Sequence, residues 1–312
     1  MKTVVISHWD LDGLASAVIA SMKFKPIKIF LASVTATPKY IHEAIKIIGR
    51  NGVIWVTDLN PQPNHIAMLN ELFKLGRERK IQINWIDHHS WDRKVYDMFM
   101  KHSRNVWYLV DTETVTADLV ARKLGLADNE YVRRLVDLAI DDDFFLNRYE
   151  LTIMWRRVLR WYKWPTRYKA LDSLIKGEIR PRWLEELYYR EVKNIYENLI
   201  REAIARSDVI TTKNNIKIIV FQDVDPRVHP GEITMIAKQN GLIADIYVVR
   251  YPRGTSLRSS VYDVSVIAKK LGGGGHKNAA GIPGNIGLKN VIELIDHINV
   301  FNTKNKENPI VM

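Results

Sequence analysis

Three small groups of acidic and imidazole side chains stand out in the first third of the chain: His8-Trp9-Asp10-Leu11-Asp12-Gly13, an isolated Asp58, and Asp87-His88-His89. Each follows a short apolar run. Carboxylates brought close together repel one another and raise each other's pKa unless a cation neutralises them. Carboxylate with imidazole and no thiolate suits Mn²⁺, with Mg²⁺, Co²⁺ or Fe²⁺ as the other choices. Four or more carboxylates exceed the needs of one ion, so the pattern predicts two divalent metals. Paired metals at about 3.5–4 Å activate water and clamp a phosphoryl group for in-line displacement. Any one of these aspartates read alone is an N-cap for a following helix. Three groups at three strand ends point instead to one ligand site beyond the carboxyl edge of a parallel sheet.

Later segments add to this. Asp141-Asp142-Asp143 ends a helical apolar stretch, where the helix dipole disfavours anions and a metal would offset the cost. The plainer alternative is a solvated acidic turn. Gly272 to Gly275 precede His276, and such a run lets a backbone approach a phosphate closely. A flexible turn is the plainer alternative here too. Arg258, in SLRSS just upstream, has the forked geometry that grips phosphate. Residues 154–169, MWRRVLRWYKWPTRYK, carry Arg156, Arg157, Arg160, Trp161 and Trp164 with no acid. That mixture stacks on unpaired bases while contacting phosphates. It equally describes an amphipathic helix that buries its tryptophans, or a subunit contact.

The elements that must position these residues are legible. Strands are predicted over 3–7, 27–31, 53–57, 81–86 and 106–110, with helices between them. Thr37 before Pro38 predicts an N-cap. The fold class is therefore α/β: a parallel sheet with helices on both faces, then a smaller α/β domain joined by a long helix. The predicted boundaries are a first domain over 1–182, including a helical Trp/Arg-rich segment over 150–182, a connecting helix over 183–208, and a second domain over 209–312. In the second domain, strands are expected at 216–221, 244–250 and 256–262, and a helix from Val264 to Leu271. The stretch after Thr303 is polar and reads as a frayed end.

Composition bounds the function. A length of 312 residues suits two domains, and 46% hydrophobic content can fill their cores. With no cysteine, disulfides, thiolate zinc, iron–sulfur clusters and cysteine nucleophiles are excluded. A net charge of +11 predicts a polyanionic partner, nucleic acid foremost. No run approaches the roughly 18 apolar residues of a membrane span, and no signal-peptide pattern opens the chain, so the expectation is a cytoplasmic protein with no membrane partner.

Taken together, HWDLDG at 8–13, Asp58, DHH at 87–89, the acidic 141–143 cluster and GGGGH at 272–276 resemble the DHH phosphoesterase superfamily. The resemblance is to its DHH/DHHA1 branch, which includes RecJ-like exonucleases, nanoRNases and cyclic-dinucleotide phosphodiesterases. Lengths and the His-x-Asp-x-Asp form look most like the compact RecJ-like nucleases of archaea. The resemblance implies a DHH domain followed by a DHHA1 domain. It implies one metal held by His8, Asp10 and Asp58, and a second held by Asp12, Asp58, His88 and an aspartate of the fourth motif. We place that aspartate at Asp142, with Asp141 as the alternative. Asp87 would orient His88, and His89 would act on the scissile phosphate or its leaving oxygen. Gly273, Gly274, Gly275, His276 and Arg258 would clamp substrate, with Ser259 as a further candidate. RecJ proteins usually open the first motif with Asp, where this chain has His8.

The expected function is a two-metal exonuclease on single-stranded DNA or RNA, with 3′→5′ polarity favoured. The alternative is a phosphoesterase of small substrates: nanoRNA, a cyclic dinucleotide or a nucleoside bisphosphate. A third reading, a non-catalytic replication-associated binding module, predicts missing metal ligands, and none is missing. Replication or repair proteins and a second copy of the chain are further expected partners.

Overall fold

The computed structural model describes residues 1–298; the polar stretch after Thr303 lies outside the described residues. The chain forms two compact units that divide between Tyr188 and Tyr189.

The first unit starts with strand β1 (Lys2–His8), helix α1 (Leu11–Phe24), β2 (Lys28–Ala32), α2 (Thr37–Ile48), β3 (Gly52–Thr57) and α3 (Ile66–Glu78). It continues with β4 (Ile81–Asp87), α4 (Arg93–Lys101), β5 (Val106–Val110), α5 (Thr116–Leu124), α6 (Glu130–Asp143), α7 (Glu150–Trp161), α8 (Trp164–Ile175) and α9 (Arg182–Leu187). The five strands are parallel, in the order β2-β1-β3-β4-β5. All five fall where their apolar runs predicted. Such runs are continuous because both sheet faces are covered. Val4, Ile6, Ile54, Val56, Ile83 and Trp85 face α2, α3 and α4, which contribute Ile41, Ile45, Leu69, Phe73, Val95 and Phe99. On the other side α1 packs against α5, α6 and α8. Its residues from Leu11 to Ala20 are all buried. The Thr37 cap is not formed: Thr37 is the first residue of α2, which follows a short 3₁₀ turn and has no side-chain cap.

In this strand order the chain leaves β1 toward β2 on one side and resumes at β3 on the other. The crevice between the carboxyl ends of β1 and β3 is the switch point, where ligands bind in such sheets. His8 ends β1 and Asp58 follows β3.

The helical run from α9 continues through a π turn at Tyr188–Val192 into α10 (Lys193–Ala205), close to the helix expected over 183–208. The second unit then carries β6 (Asp208–Thr211), β7 (Lys217–Phe221), α11 (Pro230–Gln239), β8 (Ile246–Tyr251), β9 (Gly254–Arg258), α12 (Ser265–Lys270), β10 (Gly274–His276), β11 (Ala279–Pro283) and α13 (Leu288–Asp296). Its sheet runs β10-β11-β9-β8-β7-β6; β7 and β8 are parallel and the other neighbours antiparallel. Ile218, Val220, Ile246, Val248, Leu257 and Ile282 form one core with Ile267 of α12 and Val291 and Ile295 of α13. The strand expected over 256–262 stops at Arg258. There the Ser259 hydroxyl donates to Asp245 O and accepts from the amides of Val261 and Tyr262, turning the chain.

Candidate metal centre

The sequence expectation that His8, Asp10 and Asp12 lie on one extended strand does not hold. The backbone turns after His8, and Asp10 becomes the N-cap of α1, its Oδ1 accepting from the Gly13 amide at 3.1 Å. Capping wins because it satisfies an otherwise orphaned helix donor. The turn requires glycine: a Cβ at Gly13 would lie 2.3 Å from the His8 carbonyl oxygen. Ser7 Oγ donates to Gly13 O at 2.6 Å and accepts from Thr57 Oγ1 at 2.7 Å, which ties this turn to the end of β3.

The turn still gathers the ligand groups. His8 Nδ1 lies 2.6 Å from Asp10 Oδ2 and 3.6 Å from Asp58 Oδ2. Asp12, in the first turn of α1, accepts from the amides of Thr116 and Ala117 at 2.9 and 2.7 Å, at the N-terminus of α5. Helix N-termini favour an anion there. Asp58 takes a left-handed backbone conformation, φ 57°, which Asp tolerates better than most residues. Its Oδ1 accepts from Thr116 Oγ1 at 3.3 Å. His88 Nε2 lies 3.5 Å from Asp58 Oδ1, 3.5 Å from Asp143 Oδ2 and 3.9 Å from Asp12 Oδ2.

Asp143, not Asp142 or Asp141, brings the fourth motif to this cluster. Successive helical residues point about 100° apart, so only one of three can face the same neighbour. Asp141 is fully buried on another side, accepting from the amides of Arg148 and Tyr149 at 2.8 and 3.3 Å. Asp142 Oδ1 accepts from Arg156 Nε at 2.5 Å. Arg156 also donates to Asn147 Oδ1 at 2.7 Å and lies over the Phe145 ring.

Asp87 engages His89. Its Oδ1 lies 2.8 Å from His89 Nδ1, and its Oδ2 accepts from Trp91 Nε1 at 2.6 Å. Trp91 was not singled out from the sequence, where it reads as one more core aromatic.

The charges are strongly coupled. Burial, then the neighbouring carboxylates, raise Asp58 and Asp143 well above the usual carboxylate range. Burial and Asp10 push Asp12 up to about 7. Burial opposes charge on Asp10, but its contact with His8 holds its carboxyl far down. Burial also opposes charge on His89, but Asp87 outweighs it and raises the imidazole to about 9. Asp58 Oδ2 is buried and accepts no hydrogen bond among the described residues. A buried, unsatisfied carboxylate oxygen in a crowded acidic site is what a bound cation would relieve. Among the groups close enough to share an ion are His8 with Asp10 and Asp58, Asp12 with Asp58 and His88, and Asp58 with Asp87 and His89; the first two carry the ligand types expected from the sequence. Oxygen and imidazole donors fit Mn²⁺ or Mg²⁺.

In the second unit the glycine run is a strand rather than a free turn. Gly274 to His276 form β10 and pair with β11. A Cβ on Gly273 would come within 2.0 Å of Gly281 O, and one on Gly275, φ 137°, within 2.6 Å of Ala279 O; at Gly274 it would meet nothing. His276 pairs with Ala279, and Ala279 with Arg258. Directly paired residues share a sheet face, so His276 and Arg258 flank the small Ala279 in one row. Ser259, by contrast, is buried in its turn.

The basic aromatic segment divides. Trp155, Arg156 and Arg157 are buried, against the expectation of two phosphate-facing arginines. Trp155 Nε1 donates to Ile179 O, and Arg157 to the Tyr188 hydroxyl. Buried guanidinium groups need such partners, and α7 supplies them by facing inward. Arg160 and Trp161 are half-buried, and Trp164 is 37% exposed.

No family model matches the chain. A stretch of 127 residues, 38% of the chain, is 28% identical to a 3′,5′-cyclic-nucleotide phosphodiesterase of Helicobacter pylori and spans 35% of that protein's length. RecJ in complex with Mn²⁺ from Thermus thermophilus aligns with a TM-score of 0.60 and 16% identity, covering 95% of this chain and 52% of that one. A pGpG-specific phosphodiesterase from Vibrio cholerae aligns with a TM-score of 0.51 and 16% identity, covering 96% and 99%. At these identities the likeness is one of fold: the chain has the two-domain α/β fold of RecJ and of the pGpG-specific phosphodiesterase.

Proposed function

We propose that the chain is a metal-dependent phosphodiesterase that hydrolyses single-stranded DNA or RNA from an end. The observation that carries this reading is the cluster of His8, Asp10, Asp12, Asp58, His88 and Asp143 around the β1–β3 switch point. His8, Asp10 and Asp58 would hold one divalent ion. Asp12, Asp58, His88 and Asp143 would hold the other, with Asp58 shared. Bound there, Mn²⁺ or Mg²⁺ supplies an activated water and neutralises charge on the phosphoryl oxygens.

The protein's own groups do the rest. Asp87 holds His89 protonated at neutral pH, so His89 donates a hydrogen bond to the phosphate or a proton to the departing oxygen. Trp91 fixes the far oxygen of Asp87 and with it the tilt of that carboxylate. Thr116 and Ala117 hold both oxygens of Asp12 in place through their amides. In the second unit, His276 and Arg258 present two donors on one sheet face for a substrate phosphate, with Ala279 leaving room between them.

A second reading, hydrolysis of small substrates, is favoured by the burial of Arg156 and Arg157, which removes two of the cations expected to follow a long strand. It also agrees with the substrates named for the cyclic-nucleotide and pGpG enzymes. The deciding experiment is a time course with Mn²⁺ on 5′-labelled single-stranded DNA and RNA beside a dinucleotide, with Asp58→Ala as control. A ladder shrinking from the far end supports a 3′→5′ exonuclease. Early release of labelled mononucleotide supports the opposite polarity. Cleavage of the dinucleotide alone moves the protein to the small-substrate reading, and activity retained in Asp58→Ala overturns the metal site.

A further inference from the structure

Trp9 stands in the sequence between two candidate metal ligands, His8 and Asp10. The His8 and Trp9 rings are 5.2 Å apart. Trp9 also meets Arg167 of α8, whose guanidinium carbon lies 3.6 Å from the Trp9 ring centroid and 4.8 Å from that of Trp164. Arg167 Nε donates to Leu159 O at 3.1 Å, which fixes the plane of the fork. The guanidinium thus contacts two indoles, one of them, Trp164, exposed to solvent.

Arg167 has no carboxylate ion pair among the described residues. A second cation, Arg160, is close enough to pull its pKa down to about 10 together with burial, the larger cause, while Asp10 acts in the opposite direction. Arg167 is half-buried beside another arginine, and its two ring contacts and its Nε bond hold it there without neutralising its charge. Its two terminal nitrogens form the edge that binds phosphate in a bidentate manner.

We infer that Arg167 determines specificity by gripping a second substrate phosphate, one nucleotide away from the phosphodiester cleaved at the metal centre. Trp9 and Trp164 hold the guanidinium plane in place. This rests on the phosphodiesterase reading and deepens it: the preferred substrate carries a phosphate besides the one being cleaved, either the next in a chain or a terminal phosphate. Arg156 and Arg157 of the same segment are buried, and Arg167 is the residue assigned to read the substrate.

The test compares three substrates with the full chain and Mn²⁺: a dinucleoside monophosphate and its 5′- and 3′-phosphorylated forms. The wild type is expected to prefer one phosphorylated form in kcat/KM. In Arg167→Gln that preference should shrink about ten-fold or more, through KM, as expected for loss of a charge-assisted pair. Arg167→Lys should recover part of it. Trp164→Leu leaves the Leu159 bond intact and should erode the same preference, so it decides the matter if Arg167→Gln does not fold. A wild type that cleaves all three equally overturns the inference and leaves the phosphodiesterase reading standing. So does an Arg167→Gln variant that keeps the preference or slows on all three alike. If the wild type cleaves none of them but degrades a longer single strand in the same assay, the inference falls and the phosphodiesterase reading stands; no hydrolysis of any of these substrates overturns both.

Discussion

Oδ2 of Asp143 stands 3.5 Å from Nε2 of His88, so the last residue of α6 delivers a carboxylate to the end of β4. Its neighbour Asp142 instead pairs with Arg156, a side chain only 3% exposed. The two aspartates should therefore fail differently. Asp143→Asn should lower Mn²⁺-dependent hydrolysis of a simple phosphodiester by more than about 100-fold, since even groups that merely support metal ligands are worth 10–100-fold. Asp142→Asn should leave the metal ligands in place but strand a buried guanidinium, costing about 3–5 kcal/mol of stability. Metal titration and denaturant unfolding of the two variants separate these outcomes; equal loss of metal affinity would contradict the assignment.

The Asp87–His89 contact sets the protonation of the imidazole. In Asp87→Asn the carboxylate charge is gone, and the His89 pKa should fall from about 9 toward the ordinary 6.5. If protonated His89 acts in the reaction, the alkaline limb of the pH–rate profile moves to lower pH in that variant. Trp91→Phe keeps the charge and loses one hydrogen bond worth about 1 kcal/mol, so its limb should move less. Profiles that superimpose in all three proteins would remove His89 from the reaction.

The same shifts give a pH dependence of stability for the metal-free chain. Asp12 titrates near 3.8 when unfolded and about 7 when folded, so between those values the folded chain holds the extra proton. Its contribution therefore falls as pH rises through that window. His89 moves from 6.5 to about 9; its contribution is full below 6.5 and is lost as pH rises through about 9. Both slopes have the same sign. Mn²⁺ takes the place of the protons, so the rise in Tm that it causes should be larger at about pH 8 than at about pH 5. Thermal melts with Mn²⁺ or chelator check this, and an equal shift at both pH values would count against it.

Adjacent glycines in the second unit make a sharp comparison. Gly273→Ala drives a methyl into the Gly281 carbonyl, whereas Gly274→Ala meets open space. The first should lose at least about 1–3 kcal/mol through backbone displacement, and the second should stay within about 0.5 kcal/mol. Matching melting temperatures would mean that the β10–β11 pairing is dispensable.

The strands of the first unit were legible because a strand covered on both faces must be apolar along its whole length. The ligand groups were legible because they follow those strands. Which of three consecutive aspartates faces His88 was not, since helix phase at a terminus depends on how α6 packs against α1. The arrangement of His8, Asp10 and Asp12 was misjudged because alternation suggests a strand, while Asp10 caps a helix. Arg156 and Arg157 looked solvent-facing because no pattern in sequence shows that Asp142, Asn147 and Tyr188 wait for them. Strand β10 was unreadable as a strand because glycine carries no side chain to alternate.

The candidate ligands come from the turn after β1, the residue after β3, the end of β4 and the end of α6. During synthesis the His8 segment leaves the ribosome long before Asp143 does. By then both sheet neighbours of β1 have already emerged, but the acidic turn still lacks its last carboxylate. A nascent chain halted before α6 should therefore bind Mn²⁺ weakly, and tight binding would arrive late and abruptly, as a marker that the first unit has closed.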